Sequence, residues 1–509
     1  MPGRFNDAVD EEPIFGTISQ FSGGMDEFST PTELAPNVSQ RIVNMVEDSS
    51  GKARTRAGAD PLGAVLSAGQ RVQCLTYFDI PGTERLYAAV NASLRSWDGA
   101  AWSTVGAYPF GANTIQVMFQ GNNLLYCSSG VGQWQSYNGA AWTALGTGPA
   151  DPPVGATLAC WHTERPFAAG DAANPDTLYI GDIAGGGAGT WNNSIRIGRG
   201  EGQAITYIGT LKGEWLFVGK GASAYIVITD PTIAVANWEV LRIADKVGVG
   251  SAVISVLDTA FFLSSDGIRA MAPSANPDYP FEVQPPISQP MQPYIDRINW
   301  AAARKSVGWR YKELIFFAVP LDAATEPNYT LVLNARTQAW MGYWSGWYPT
   351  CATVTQFGDV DRMVFGDSLG FVNQWKDYLA EADSNRHKDN GVEVPWLLRF
   401  SATNVGEPSN FKDPTWAQVR FVDSSGNVTI RIYLDGVVAR EFNRSLLKRQ
   451  NQLPVNLPFN LAQNLPSDQP MALDALREFK EAFVEIEGSG RVVIRSVSFA
   501  AFMNTHDDE

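Results

Sequence analysis

Ser96-Trp97-Asp98-Gly99-Ala100-Ala101-Trp102-Ser103-Thr104-Val105-Gly106 returns forty residues later as Ser136-Tyr137-Asn138-Gly139-Ala140-Ala141-Trp142-Thr143-Ala144-Leu145-Gly146. Upstream, Leu86-Tyr87-Ala88 matches Leu125-Tyr126-Cys127 at an offset of 39, so the copies differ by one residue between the two anchors. Each copy reads as a strand, a loop, a strand, a tight Asp-Gly or Asn-Gly turn and a short Trp-bearing strand. Asx-Gly pairs between apolar strands signal hairpins, because Gly and Asn tolerate the positive φ that hairpin turns demand. A period near 40 built of short strands is the pattern of β-propeller blades.

Working outward, further apolar strands open at 72–78, 115–119, 157–161, 205–208, 252–256, 302–309 and 352–357, roughly 43 to 50 residues apart. This spacing predicts six or seven blades over residues 66–380. The last would have only three strands, 352–357, 362–365 and 371–375. Residues 1–65 read as a polar arm followed by a hairpin, 41–47 with 52–56, and segment 41–47 is expected to supply the missing fourth strand. Closing the ring in this way removes an unpaired edge. Residues 181–189 form a glycine-rich loop between strands.

Residues 377–391 are polar and lack apolar periodicity, and read as a linker or an exposed helical turn. A second β unit follows over 381–503, with strands at 396–402, 417–422, 428–434, 437–442, 482–486 and 492–502, and turns at Asp435-Gly436 and Gly488-Ser489-Gly490. Antiparallel strands of this number and length point to a β-sandwich. The Pro-bearing stretch 451–470 reads as a long loop for contact with neighbouring subunits, and 504–509 as an acidic tail. The fold class is therefore all-β, a propeller followed by a β-sandwich.

Composition narrows the function. The chain has 509 residues, beyond one hydrophobic core, and a formal charge of −15. That balance argues against a simple nucleic-acid binder, which needs clustered Lys and Arg. Residues 1–12 lack a signal core, and the most apolar stretch, 252–263, is short and broken by Asp258, so no membrane-spanning segment is expected. The four cysteines, at 74, 127, 160 and 351, have no CxxC spacing, which favours reduced, buried thiols over a zinc site or a disulfide framework.

The candidate chemistry is thin. His162, His387 and His506 are far apart and fall in no metal-binding motif. The stretch from Gly213 to Lys220 has five residues between its glycines and Gly221 where a phosphate loop needs Ser or Thr, so a hairpin is expected. Ser264-Ser265-Asp266-Gly267 hints at the Asp box of sialidase-type blades but does not recur. Trp340, Tyr343, Trp344, Trp347 and Tyr348 are dense enough for a stacking platform, with packing between blades the plainer reading. Arg440, Arg444, Lys448 and Arg449 form a small basic cluster, a solvated face or a contact with an acidic neighbour. No catalytic, cofactor-binding or metal residue is assigned, no cofactor is expected and the chain is not read as an enzyme.

One resemblance adds to this. Gly23-Gly24-Met25, then Pro31-Thr32-Glu33-Leu34-Ala35-Pro36-Asn37, Asn44, Gly51 and Arg56-Ala57-Gly58, in that order before a propeller-like repeat, resembles the opening of tail nozzle proteins of short-tailed bacteriophages. Arg165-Pro166-Phe167-Ala168-Ala169-Gly170 with Asn174-Pro175 resembles a phrase of the same family in mid-propeller. The resemblance implies a structural virion protein, assembled in the host cytoplasm as a homo-hexameric ring below the portal and adaptor, with tail spike, fibre or needle proteins beside or below it. DNA would be retained by the ring and then ejected through its lumen without specific binding, past a wall richer in carboxylates than in cations. The competing reading is a carbohydrate-binding or glycoside-cleaving propeller, for example on a tail fibre.

Overall fold

The computed structural model describes residues 14–503, apart from 49, 81–82, 106–110, 113–116, 184, 277–279, 358–359, 382, 403–410, 423, 447–466 and 474–477. The chain divides into two units. One contains Ala59–Ala335 and Trp344–Glu381; the other contains Met1–Gly58, Arg336–Tyr343 and Ala382–Glu509.

The first unit is a β-propeller. Its innermost strands are Val72–Ile80, Val117–Gly121, Leu158–His162, Ile205–Lys212, Val253–Val256, Val307–Tyr311 and Pro349–Phe357, and each neighbours the next around a ring in which the last meets the first. Seven blade positions follow, each continuing outward through antiparallel strands. Blades hold together because their strands are apolar on both faces. Phe78, Tyr87 and Leu94 of blade one pack with Leu125, Cys127 and Tyr137 of blade two, and Val72, Leu86 and Trp97 pack with Val364 and Val372 of blade seven. Closure is tight at that last seam: the Thr350 hydroxyl donates to the Val72 carbonyl at 2.6 Å. A Cβ on Gly366 would lie 2.5 Å from the Val72 side chain, so only glycine fits there.

The repeat lies at equivalent positions in blades one and two. Trp102 pairs in register with Trp97, and Trp142 with Tyr137; the ring centroids are 5.4 and 5.0 Å apart. The connecting turn is longer than a two-residue hairpin. Asp98 accepts from the amides of Ala100 and Ala101 at 2.9 and 2.8 Å, and Asn138 accepts from Ala140 and Ala141 at 2.9 Å each. Gly99 and Gly139, at φ 100° and 92°, take the conformation that lets the chain turn under that side chain.

The strand that completes blade seven is not 41–47. Ala59–Pro61 pairs antiparallel with Val372–Trp375, Trp375 opposite Ala59 and Asn373 opposite Pro61. Lys376 Nζ donates to Asp60 Oδ1 at 2.9 Å beside it. Pro61, which has no N–H, is tolerable because this strand is the outer edge. Segment 41–47 instead belongs to the second unit. There Val38–Val43 runs antiparallel to Pro395–Phe400, and Met45–Glu47 forms the expected hairpin with Ala53–Thr55.

The second unit is a β-sandwich. One sheet orders Met45–Glu47, Ala53–Thr55, Val493–Met503, Lys412–Phe421 and Ser467–Ala472, with Ile14–Ile18 also against Val493–Met503. The other orders Val38–Val43, Pro395–Phe400, Ala482–Ser489, Asn427–Leu434 and Val437–Ser445. Alternation aims one face of each inward: Val428, Ile430, Ile432 and Leu434 are buried in one sheet, Ala417, Val419 and Phe421 in the other. Asp435 and Gly436, at φ 47° and 76°, form the expected two-residue turn, with Leu434 opposite Val437. Residues 377–391 contain the boundary between the two units, after Glu381, and part of the stretch is packed. Arg386 and His387 are buried, and Lys388–Asp389 pairs with Val392–Glu393, because the residues around Arg56 dock on them.

Candidate functional site

Three residues of the N-terminal phrase that carries the family resemblance, Asn44, Arg56 and Gly58, meet at one buried junction in the sandwich unit, and Gly24 makes its own close approach to Trp340. Gly24, at φ 73°, lies where a Cβ would sit 2.5 Å from the Trp340 carbonyl. Asn44 holds φ 55°; its backbone N–H donates to the Tyr343 carbonyl at 3.0 Å and its side-chain amide to the Pro395 carbonyl at 2.8 Å. Its side-chain oxygen accepts from Arg56 Nε at 3.0 Å. The Arg56 guanidinium is fully buried and bidentate on Asp389, at 3.0 and 2.6 Å, a geometry lysine cannot reproduce. Gly58 follows because a Cβ there would lie 1.9 Å from the Lys388 carbonyl. His387 Nδ1 sits 3.0 Å from the Arg56 carbonyl, and since a carbonyl only accepts, Nδ1 carries the proton.

A polar cleft of about 280 Å³ opens beside this junction, lined by Asp383, Ser384, His387, Lys388, Glu393 and Arg491 among others. Its charges are mixed, and Glu393 accepts from the Ser489 hydroxyl at 2.9 Å. The arrangement can hold polar groups. A second, apolar cleft of about 320 Å³ lies between the two sheets, bounded by Ile18, Leu34, Phe400, Phe483 and Phe499.

The other residues singled out in the sequence do not meet at a site. His162 lies in the propeller between two hydroxyls, Nδ1 3.0 Å from Thr210 Oγ1 and Nε2 2.8 Å from Thr229 Oγ1. Thr229 donates its own proton to the Glu214 carbonyl at 2.7 Å, so it accepts from Nε2–H and Thr210 donates to Nδ1. Burial pushes this imidazole down to about 4, and it stays neutral near pH 7. His506 lies outside the described residues.

Gly213 forms a hairpin turn, as expected, with Lys212 opposite Trp215. Lys220, fully buried, donates to the Ile197 carbonyl at 2.9 Å and pairs with Glu201 at 3.2 Å. It is a structural cation with no room for phosphate. Ser265 and Asp266 make a plain turn, with Ser264 opposite Gly267, and the Arg269 guanidinium beside Asp266 holds its carboxyl below the usual range. Trp340, Trp344 and Trp347 are buried, which removes the stacking platform; Trp344 packs on Trp347 and Trp375 at 5.1 and 5.5 Å, and only Tyr348, 44% exposed, faces solvent broadly. The four cysteines form no disulfide, and burial pushes Cys160 and Cys351 up to about 12. No group of three or more His, Cys, Asp or Glu side chains placed to hold a metal occurs among the described residues. No helix among them is long and apolar enough to cross a membrane. Lys448 and Arg449 fall outside the described residues, as does most of the stretch 451–470. Arg440 and Arg444 lie on the outermost strand of their sheet.

No family model matches the chain, and no curated protein does. Among solved structures it is similar to YCF48 from Cyanidioschyzon merolae, with 9% identity, a TM-score of 0.42 and coverage of 62% of this chain and 98% of that one. It is similar also to the AfRom2 CNH domain, with 13% identity, a TM-score of 0.38 and coverage of 61% and 98%. The computationally designed Ika8 protein shares 10% identity at a TM-score of 0.40, covering 62% and 99%. The propeller assignment rests on the strand order described above, and these likenesses say nothing of what this chain does.

Proposed function

We propose that this protein is a structural component of a bacteriophage tail, a subunit of a homo-hexameric nozzle ring through which DNA is retained and then ejected. The observation that carries the reading is the meeting of Asn44, Arg56 and Gly58, residues of the nozzle-like opening phrase, at one buried junction in a chain that also has a propeller and a sandwich. Residues with such a shared structural reason make the phrase an architectural signature instead of a scatter of common residue types. The mid-propeller phrase behaves likewise: Arg165–Ala169 is a strand buried along its whole length in blade three.

In this reading the protein positions neighbours and does no covalent chemistry. A closed ring gives each copy the same head-to-tail contact and leaves no open end. A conduit must let phosphates slide, so a wall richer in Asp and Glu than in Lys and Arg suits it, because clustered cations would hold DNA through counterion release. The portal or adaptor would sit above the ring and spike, fibre or needle proteins beside or below it. Negative-stain microscopy of the purified full chain tests the reading: six-fold rings are expected, and monomers alone at every concentration would refute it.

A further inference from the structure

The chain has two Asn-Gly pairs, Asn138-Gly139 and Asn390-Gly391, and both asparagines are exposed. Such a pair can cyclise, because glycine has no Cβ to shield its amide nitrogen from the preceding carboxamide. The two turns hold that carboxamide differently. At Asn138 the amides of Ala140 and Ala141 both donate to Oδ1, at 2.9 Å each. The Gly139 amide itself donates to no acceptor among the described residues, and the Tyr137 hydroxyl donates to the Gly139 carbonyl at 2.7 Å. Asn390 takes φ 45° in a two-residue turn, and its side chain makes no hydrogen bond among the described residues.

Attack of the Gly139 nitrogen on Cγ of Asn138 drives negative charge onto Oδ1, the atom that both amides already face. Fixed donors about 2.7–3.1 Å from a developing oxyanion are the arrangement that lowers the barrier of acyl transfer. Blade one supplies the comparison. Asp98 accepts the same two hydrogen bonds at 2.9 and 2.8 Å, and Gly99 has φ 100° against 92° for Gly139. The Ala101 and Ala100 amides hold the Asp98 carboxyl below the usual range. It therefore stays ionised near neutral pH, and a carboxylate is a poor electrophile. The same turn is inert in blade one and reactive in blade two, and Asp98 shows that the turn accommodates a carboxylate.

We propose that Asn138 is a site of spontaneous modification, deamidated by water to aspartate within the folded propeller. Solvent base takes the Gly139 amide proton and the nitrogen bonds to Cγ. The Cγ–Nδ2 bond then breaks, and the carboxamide nitrogen leaves as ammonia with a proton from solvent. Water adds to Cγ of the resulting five-membered imide, and the bond from Cγ to the Gly139 nitrogen breaks as that nitrogen regains a proton. Amide and water give acid and ammonia, with no oxidant or reductant. The oxyanion of the second addition lies against the same two amides, so aspartate is favoured over the isoaspartyl product, which would route the main chain through Cβ and Cγ. Blade two thereby gains the negative charge that blade one carries at Asp98. The step needs neither a partner nor the ring.

Incubation of the full wild-type chain in mildly alkaline buffer, folded and unfolded in guanidinium chloride, tests it, with peptide mapping by mass spectrometry as the readout. Asn138 of the folded chain is expected to convert at least about tenfold faster than folded Asn390, and faster by a similar factor than Asn138 of the unfolded chain. Aspartate should exceed isoaspartate at this position. Ala140→Pro removes one of the two donors and should slow conversion about tenfold, with circular dichroism confirming the fold. Conversion of folded Asn138 no faster than that of the unfolded chain or of Asn390 would overturn the proposal. A folded Ala140→Pro variant that converts at the wild-type rate would overturn the part given to the amides, and a predominance of isoaspartate would overturn the second step.

Discussion

Arg56→Met tests the buried junction most sharply. The substitution keeps a long apolar side chain but removes two hydrogen bonds to Asp389 and one to Asn44. Breaking a buried ion pair from one side costs about 3–5 kcal/mol, because the partner charge is left unmatched. Asp389 retains 23% side-chain exposure and part of its hydration, which places the expected loss near the lower end, about 3 kcal/mol. For a unit of this size that corresponds to a fall of about 6–12 °C in the midpoint. Differential scanning fluorimetry and urea denaturation read it. Arg56→Met combined with Asp389→Leu removes both charges and should recover about 2 kcal/mol relative to the sum of the single changes. A loss under about 1 kcal/mol for Arg56→Met, or strict additivity in the double variant, would refute the role given to this pair.

Three further outcomes are expected. His162 is neutral when folded and titrates at about 4, against about 6.5 unfolded, so the unfolded chain binds the extra proton between these values and stability falls as pH drops through that window. His162→Asn should flatten this part of the profile, by at most about 3 kcal/mol, and an unchanged pH dependence in urea titrations would contradict the assignment. Leu257 sits 84% exposed at φ 57° in a two-residue turn, so Leu257→Asn should raise propeller stability by about 0.5–1 kcal/mol; a loss would contradict the strain argument. Asp60→Lys sets an ammonium beside the nearly buried Lys376 and should cost about 2–4 kcal/mol and speed proteolysis of blade seven. Wild-type resistance would count against closure through Ala59–Pro61.

Much of the fold was legible because blades repeat. An apolar strand about every 45 residues, with Trp102 and Trp142 at matching offsets, follows from every blade packing on its neighbours in the same way. The closing strand was not. Ala59-Asp60-Pro61 is three residues long, contains proline and alternates too briefly to register, while 41–47 has the stronger pattern because it spans parts of two strands of the sandwich, Val38–Val43 and Met45–Glu47. Likewise, nothing local marks residues 377–391 as structured: Arg386 and His387 are polar, and their burial is dictated by Arg56 and Gly58, more than three hundred residues away. The sites show the same division. His162 and Lys220 look chemical in sequence, but partners from distant strands turn them into structural groups.

In the proposed function, this propeller and sandwich form one subunit of a ring on the axis of a phage tail. A cryo-electron microscopy reconstruction of the particle that carries the protein tests it most directly. Six copies in a closed ring around the tail axis are expected, with the lumen wall richer in carboxylates than in Lys and Arg. A single copy away from the axis, or a position at the tip of a fibre, would contradict it.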